Sequence, residues 1–348
     1  MPKCTLKIVL DRPQPTCAAG EKVTGRIEVS ASEDCEYQKL SLSRAWRTRG
    51  HGEDAFGKPE EQVLFNGAWR AGQNASYPFE FVAPIGPLSY HGEMFNVEWY
   101  LHAQAAIAGA LDASTDEGFR LVAAEVTPGF NLGPAFRGVG SHQKLMKFGQ
   151  TLAQGCGLIT GVFFLLFSLA LGLIVRDVFR RAATPGPPEW SWLIVWLLFA
   201  AGTAALLFWV LRPIIARRKL GPVEAQVTPG IARPGEAVTC SLRFQPRANI
   251  DLSEATATLR GTEIVDWQSG DETHTHRCII SEQPVTFAQD RRLMAGESIT
   301  VETSLSVPAN APTTFMSAHQ QLLWLVNLRL RLRGWPDWTH DIPLIVRP

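Results

Sequence analysis

Hydrophobic and polar residues alternate with a period of two in both end portions of the chain. Near the start, Leu6, Ile8 and Leu10 share one face of such a pattern, and near the end the alternation runs without a break from Leu322 to Leu332. Because successive side chains of a strand point to opposite faces of a sheet, the pattern predicts strands with one buried face. We therefore expect a mainly β protein with two tandem immunoglobulin-like β-sandwiches, at residues 1–125 and 221–348.

The middle of the chain has a different pattern, because residues 151–175 and 190–211 contain no charged side chain. Helices of these lengths, rising about 1.5 Å per residue, would exceed the roughly 30 Å hydrocarbon core of a bilayer. Backbone amides in lipid need partners within their own segment, which favours helices. The sequence thus predicts transmembrane helices at 149–176 and 189–213, a short loop at 177–188, and a Pro- and Gly-rich linker at 126–148.

Basic residues collect beside these segments. Residues 151–220 hold 7 Lys and Arg against 2 Asp and Glu, whereas the whole chain has 33 of each kind. Positive charge beside membrane spans favours the cytoplasmic side, and it argues against a nucleic-acid-binding surface on the β domains. The sequence therefore predicts a two-span integral membrane protein, in contact with the lipid bilayer, with both termini and both β domains in the cytoplasm.

Small residues are spaced one helical turn apart in both uncharged segments. Gly157 and Gly161 lie in the first, and Ala200 and Ala204 lie in the second. Such positions allow helices to pack closely. Two interpretations stay open: the two helices pack on each other, or two copies of the chain form a homodimer through them.

The two β-rich portions also align with each other, which predicts an internal duplication. Residues 20–23 match residues 235–238 at an offset of 215. Later in each portion the offset is 225, and the matched pairs are Pro87 with Pro312, Trp99 with Trp324, Asp112 with Asp337, Asp116 with Asp341, Phe119 with Leu344 and Leu121 with Val346.

Several short motifs carry a resemblance to a known family. They are Gly20-Glu21-Lys22-Val23-Thr24-Gly25, Trp46-Arg47-Thr48, Phe79-Glu80-Phe81-Val82-Ala83-Pro84, Val97-Glu98-Trp99-Tyr100-Leu101 and, in the second half, Pro234-Gly235-Glu236-Ala237-Val238. Tandem β-sandwiches with these motifs resemble the arrestin-like family. The resemblance implies an adaptor or scaffold made of two cupped lobes, as in trafficking and sporulation-control proteins, without catalysis by the lobes. The predicted hairpin replaces the short linker of that family.

Candidate chemistry is sparse. His274, His276 and Cys278 alternate on one predicted strand and could present two imidazoles and a thiol on one face, a weak metal candidate against the alternative of a solvated strand face. The sequence contains no nucleophile elbow, phosphate-binding loop or zinc-binding helix motif. We therefore predict no catalytic residues, no cofactor and no enzyme activity.

The leading hypothesis is a membrane-anchored, non-enzymatic scaffold that binds an unidentified protein partner through its lobes. Residues 48–74 look like a long loop that lacks an equivalent in the second lobe, so Phe56, Phe65 and Trp69 are the partner-binding candidates. An alternative from another class is an envelope protein whose outward-facing sandwiches bind glycan or wall material by stacking on tryptophans. A small membrane enzyme that uses His274 and His276 is a third possibility.

Overall fold

The structure is a computed structural model that describes residues 3–12, 14–107, 111–124, 177, 215–269 and 272–348. Residues 3–124 form one lobe, lobe N, and residues 215–348 form a second, lobe C. The strands of lobe N are β1 (Cys4–Leu10), β2 (Thr16–Ala18), β3 (Lys22–Ala31), β4 (Cys35–Gly50), β5 (Glu60–Trp69), β6 (Asn74–Val82), β7 (Tyr90–His91), β8 (Phe95–Ile107) and β9 (Ala113–Val122). The strands of lobe C are β10 (Val223–Thr228), β11 (Ile231–Ala232), β12 (Ala237–Phe244), β13 (Ile250–Ser269), β14 (Glu272–Leu293), β15 (Ile299–Ser306), β16 (Phe315–Met316), β17 (Gln320–Leu332) and β18 (Trp338–Val346).

Each lobe consists of a three-stranded sheet and a six-stranded sheet. Lobe N has the orders β1-β3-β6 and β2-β9-β8-β4-β5, with β7 paired to β8. Lobe C has the orders β10-β12-β15 and β11-β18-β17-β13-β14, with β16 paired to β17. Every strand of lobe N thus has a counterpart in lobe C, from β1 with β10 to β9 with β18. The two predicted β-sandwiches are confirmed, and the strand order agrees with the predicted duplication.

Aligned residues also make equivalent contacts. The indole nitrogen of Trp99 donates to the carbonyl of Pro87 over 2.7 Å, and that of Trp324 donates to the carbonyl of Pro312 over 2.9 Å. The further equivalent contacts are His102 with Asp116 and Asn327 with Asp341, the amide of Leu121 with Ser89 Oγ and that of Val346 with Thr314 Oγ1, and Glu21 with the Ala18 amide and Glu236 with the Arg233 amide. The offsets that align the sequences therefore align the hydrogen bonds.

The alternating pattern buries one face of each large sheet. In β8 every second residue from Phe95 to Ile107 is buried, and β17 repeats this from Gln320 to Leu332. Burying a large apolar side chain stabilises the fold by about 1.5–3 kcal/mol, so each long strand contributes strongly to its core. Phe95 and Val97 of lobe N belong to the same buried cluster as the core of lobe C. The two lobes therefore pack on each other.

The predicted membrane hairpin is corrected. Among the described residues, no helix has the length and apolar character needed to cross a bilayer, and this finding contradicts the helical hairpin, the transmembrane fold class and the two-span localisation. Length and lack of charge permit a membrane helix, but they do not by themselves form one. The segments 126–148, 149–176 and 189–213, with Gly157, Gly161, Ala200 and Ala204, lie outside the described residues.

Candidate functional site

The most distinctive site of the molecule is the contact between the lobes, which we call the joint. It is formed by Thr48, Tyr90 and Phe95 of lobe N and by Glu263, Phe315 and Gln320 of lobe C. These six residues form three structurally equivalent pairs. Thr48 in β4 lies opposite Val97, and Glu263 in β13 lies opposite Leu322, at an offset of 225 between the partners. The other two pairs, at the same offset, are Tyr90 with Phe315 and Phe95 with Gln320.

Glu263 is the charged centre of the joint. Its side chain has no exposed surface, and its carboxylate accepts hydrogen bonds from the Tyr90 hydroxyl, from the Glu93 amide over 3.1 Å and from the Met94 amide over 2.7 Å. A buried carboxylate is costly unless it is hydrogen-bonded, and all three of these donors belong to the other lobe. Burial first, and then the hydrogen bond and charge of Glu263, raise the pKa of Tyr90, so this phenol remains a neutral donor.

Gln320 is the second buried polar group of the joint. Its side-chain oxygen accepts a hydrogen bond from the Thr48 hydroxyl over 3.1 Å, and its side-chain nitrogen donates to the carbonyl of Glu53. At the rim, His319 Nε2 lies 3.3 Å from Glu53 Oε2. A segment at the end of β4 thereby holds the start of β17.

Aromatic rings fill the space between these polar groups. The Phe315 ring lies 5.6 Å from that of Trp46 and 5.8 Å from that of Phe95. The close approach depends on Gly92, because a Cβ atom there would lie 2.0 Å from Glu263 Oε1. The joint is therefore a packed interface that tolerates little change in shape.

The joint has approximate twofold symmetry. Thr48, on strand β4 of lobe N, contacts the first residue of β17, and Glu263, on strand β13 of lobe C, contacts the turn just before β8. The backbone parts are thus repeated, whereas the side chains differ. The joint is symmetric in architecture and asymmetric in chemistry.

Each lobe also carries the same groove, with a different lining. In lobe N the groove has a volume of about 370 Å³, and in lobe C about 210 Å³. Both have a tryptophan of the central strand in the wall, Trp99 and Trp324. The equivalent lining pairs are Ser89 with Thr314, His91 with Met316, Glu98 with Leu323, Tyr100 with Leu325, Gly118 with Pro343 and Arg120 with Ile345.

The lobe N groove is charged. Arg47 lies over the Tyr100 ring at 4.8 Å and places Nε 3.5 Å from Glu98 Oε2. The Arg120 side chain at its rim is exposed. The lobe C groove presents Met316, Leu323 and related apolar side chains at the corresponding positions. The two grooves can therefore hold segments of different chemistry.

The predicted partner-binding loop is largely strand. β4 continues to Gly50, and β5 occupies Glu60–Trp69. Much of the segment 48–74, which the sequence predicts as one long loop, is therefore strand. Trp69 is 1% exposed and donates from its indole nitrogen to the Tyr77 hydroxyl over 2.7 Å, while Phe65 stacks on it at 5.6 Å. Trp69 therefore belongs to the core, and Phe56, which is 64% exposed, is the most accessible of the three candidates.

The predicted metal candidates lie in β14. The rings of His274 and His276 lie 5.8 Å and 4.2 Å from that of Trp267 on the paired strand β13, and Cys278 lies opposite Glu263. In the part of the chain that the structure describes, no group of three or more His, Cys, Asp or Glu side chains could hold a metal ion. The two imidazoles pack against an indole instead.

One row of side chains on lobe N has the composition of a hydrolase triad. His102 Nδ1 lies 2.6 Å from Asp116 Oδ1, and Ser43 lies opposite His102 in the sheet. The Ser43 hydroxyl, however, donates to the carbonyl oxygen of His102 over 3.4 Å. Lobe C has a 2.6 Å contact between Asn327 and Asp341 at the equivalent place, which indicates a structural cross-strand contact.

The described cysteines are free thiols. Burial raises the pKa of Cys4 and of Cys240 to about 11, with a smaller contribution to Cys4 from nearby Cys35. Burial also raises the pKa of Cys17 and Cys35. These four thiols are therefore poorly placed to act as nucleophiles, since the thiolate is the reactive form.

Comparison with known proteins gives a distant structural likeness. No family model matches the chain, and no curated protein matches it either. Among solved structures the chain is similar to Spo0M, a sporulation control protein from Bacillus subtilis, with a TM-score of 0.31 and 18% identity over 37% of this chain. The match spans 50% of the Spo0M chain.

Proposed function

We propose that the protein is a non-enzymatic scaffold or adaptor that binds a protein partner through its two β-sandwich lobes. The observation that supports the proposal best is the groove repeated on both lobes, with a charged lining on lobe N and an apolar lining on lobe C. Concave sites with an apolar wall and a few polar groups are typical binding sites. Both lobes have the groove at the same place, but its lining differs between them. This difference favours contacts with two different segments of a partner.

The partner that fits is a protein with two segments of unlike chemistry. One segment would place a polar or charged side chain beside Arg47 and Arg120, and the other would place an aliphatic side chain between Met316 and Leu325. The joint holds both grooves in one body, so binding in one raises the effective concentration of the partner at the other. Two weak contacts can then give one specific complex.

The charges of lobe C support a protein partner over a polyanion. Several exposed arginines of its large sheet already have acidic partners. The pairs include Arg329 with Asp337, Arg331 with Glu254 and Arg333 with Asp290, at 2.5, 3.2 and 3.2 Å. Nucleic-acid affinity depends on free cationic groups that neutralise phosphates. We accordingly propose no nucleic-acid partner.

Strand addition to the sheet edge is a less favourable route to binding. β14 forms one edge of the lobe C sheet, and its pairing with β13 contains register shifts at Ala255/Thr256 and at Gly261/Thr262. Pro284 also removes an amide donor within it. Bulges and prolines protect edges from pairing with another chain, so the grooves are the better candidates.

The proposal is tested by photo-crosslinking from inside the grooves in cells. A photoreactive residue replaces Arg120 in one variant, Ile345 in a second, and Leu111 in a control, because Leu111 is 70% exposed and lines neither groove. We expect one protein to be captured from both grooves and not from the control, and we expect that protein to keep its mass when it is incubated with the native chain without irradiation. Capture no stronger than that from position 111 would contradict the binding role, and a chemically altered partner would contradict the non-enzymatic role.

A further inference from the structure

The joint joins two lobes that do not need to belong to the same chain. Each lobe offers one polar residue of a long strand, Thr48 or Glu263, and each of these contacts the other lobe at or just before the start of its central strand, β17 or β8. This reciprocal geometry is that of an isologous interface between separate subunits. Residues 125–214 join the lobes covalently, and the hydrogen bonds described for the joint run between lobe N and lobe C.

The side chains of the joint decide which lobes can pair. If two copies of lobe C met through this face, each Glu263 would be buried against Phe315, which has no hydroxyl where lobe N has Tyr90. Each carboxylate would lose one of its three donors, and two negative charges would be buried together. Pairing of lobe C with lobe C is therefore strongly disfavoured.

Pairing of lobe N with lobe N also loses hydrogen bonds. Thr48 would face Phe95 of the other copy instead of Gln320, so its hydroxyl would lose the amide oxygen that accepts it at 3.1 Å and would keep only the Ala55 backbone as a partner, while the carbonyl of Glu53 would lose the Gln320 amide that donates to it. Each hydrogen bond lost in a buried contact destabilises the pair. The complementary pair, lobe N with lobe C, satisfies both polar centres, and this gives the face its specificity.

We propose that the joint face of each lobe also accepts the complementary lobe of a second copy of this chain, so that two chains join with lobe N of one on lobe C of the other. The occupant follows from the interface already present within one chain, because the same contacts form in either case. The covalent connection raises the local concentration of the lobes, which favours the closed monomer in dilute protein. The exchanged dimer gains as protein concentration rises.

A disulfide trap tests the proposal with exposed positions at the rim. Glu53 and His319 face each other across the joint at 3.3 Å, so one full-length chain carries Glu53→Cys and a second, with a different affinity tag, carries His319→Cys. The two are mixed at high concentration and then oxidised with oxidised glutathione. We expect a disulfide-linked dimer with both tags, and much less of it when Glu282→Cys replaces His319→Cys. Equal yields with both partners would overturn the proposal.

A second measurement does not depend on disulfide geometry. Gly92→Asp places a carboxylate against Glu263 and blocks the face of lobe N, and Gln320→Lys places an ammonium group in the buried amide site and blocks the face of lobe C. Each variant alone keeps only one functional face and should sediment as a monomer. Mixed in equal amounts, they retain one intact complementary pair and should form a 1:1 dimer. A mixture that stays monomeric, with both variants folded by circular dichroism, overturns the proposal.

Discussion

Replacing Tyr90 by phenylalanine removes one hydroxyl from the joint and leaves its shape nearly unchanged. The Glu263 carboxylate then keeps only the Glu93 and Met94 amides as donors. A hydrogen bond to a charged group contributes about 1.5–3 kcal/mol, and a loss of about 2 kcal/mol would raise the opening equilibrium of the joint roughly 30-fold. We expect this change in Tyr90→Phe.

Hydrogen exchange of the Glu93 and Met94 amides measures that opening directly, because both donate across the joint. Their exchange should accelerate by the same factor, while amides of the central strand β8 keep their protection. Tyr100→Phe is the matched control, since its ring lies under Arg47 in the lobe N groove. Unchanged exchange at residues 93 and 94 in Tyr90→Phe would refute the assigned role of the joint.

A double-mutant cycle separates this contact from general packing. In a Glu263→Gln background the phenol no longer donates to a carboxylate, so Tyr90→Phe should cost clearly less stability than it does in the native chain.

The contribution of Tyr90 to stability also depends on pH, in a direction that its pKa determines. Burial, followed by the hydrogen bond and charge of Glu263, raises the pKa of Tyr90, so the stabilising contribution of Tyr90 is complete below the ordinary tyrosine pKa of about 10 and is lost progressively as the pH rises from there toward the raised pKa of the folded state. The difference between native and Tyr90→Phe stability should therefore shrink as the pH rises beyond 10.

Three further predictions concern a glycine of the joint, a carboxylate of lobe N and the described thiols. Gly92→Ala should weaken the joint strongly, because its Cβ atom would lie 2.0 Å from a carboxylate oxygen of Glu263. Gly230→Ala is the control, since a Cβ atom there would lie in open space. Urea denaturation should show a clear loss in the free energy of unfolding for the first variant and little or none for the second. The pKa of Glu21 is lowered by its hydrogen bonds to Arg12 and to a backbone amide. Glu21→Gln should therefore lower the free energy of unfolding by up to about 1 kcal/mol at neutral pH, and this difference should disappear in acid, where Glu21 itself is protonated. Glu236→Gln, at the equivalent place in lobe C, is the control. Among the described thiols, Cys278 should react fastest with iodoacetamide in the native protein, because the other four are buried. Mass spectrometry after timed labelling measures the rates, and a buried thiol that reacted equally fast would contradict the prediction.

The sheets could be predicted because alternation has a direct structural cause. The run from Leu322 to Leu332 became β17 with the expected buried face, and the duplication aligned Trp99 with Trp324, which make the same hydrogen bond. The segment 48–74 could not be predicted as well, because its many polar and charged residues belong to an edge strand, β5, whose pattern is weak. Charge-free length, finally, predicted membrane helices that the described residues do not contain.

The joint could have been predicted from polar residues at inward strand positions, a feature that alternation alone does not reveal. Thr48 and Glu263 are polar residues at inward positions of β4 and β13, and the duplication places them at the same site in the two lobes. A polar group at an inward position must find partners somewhere. When both copies of a repeat carry one at the same place, the common explanation is a surface that the repeats bury against each other, and different residues at that place indicate a pairing between unlike partners. Glu263 could therefore have been recognised by comparing the lobes with each other, since within lobe C alone it is merely an isolated charge in a strand.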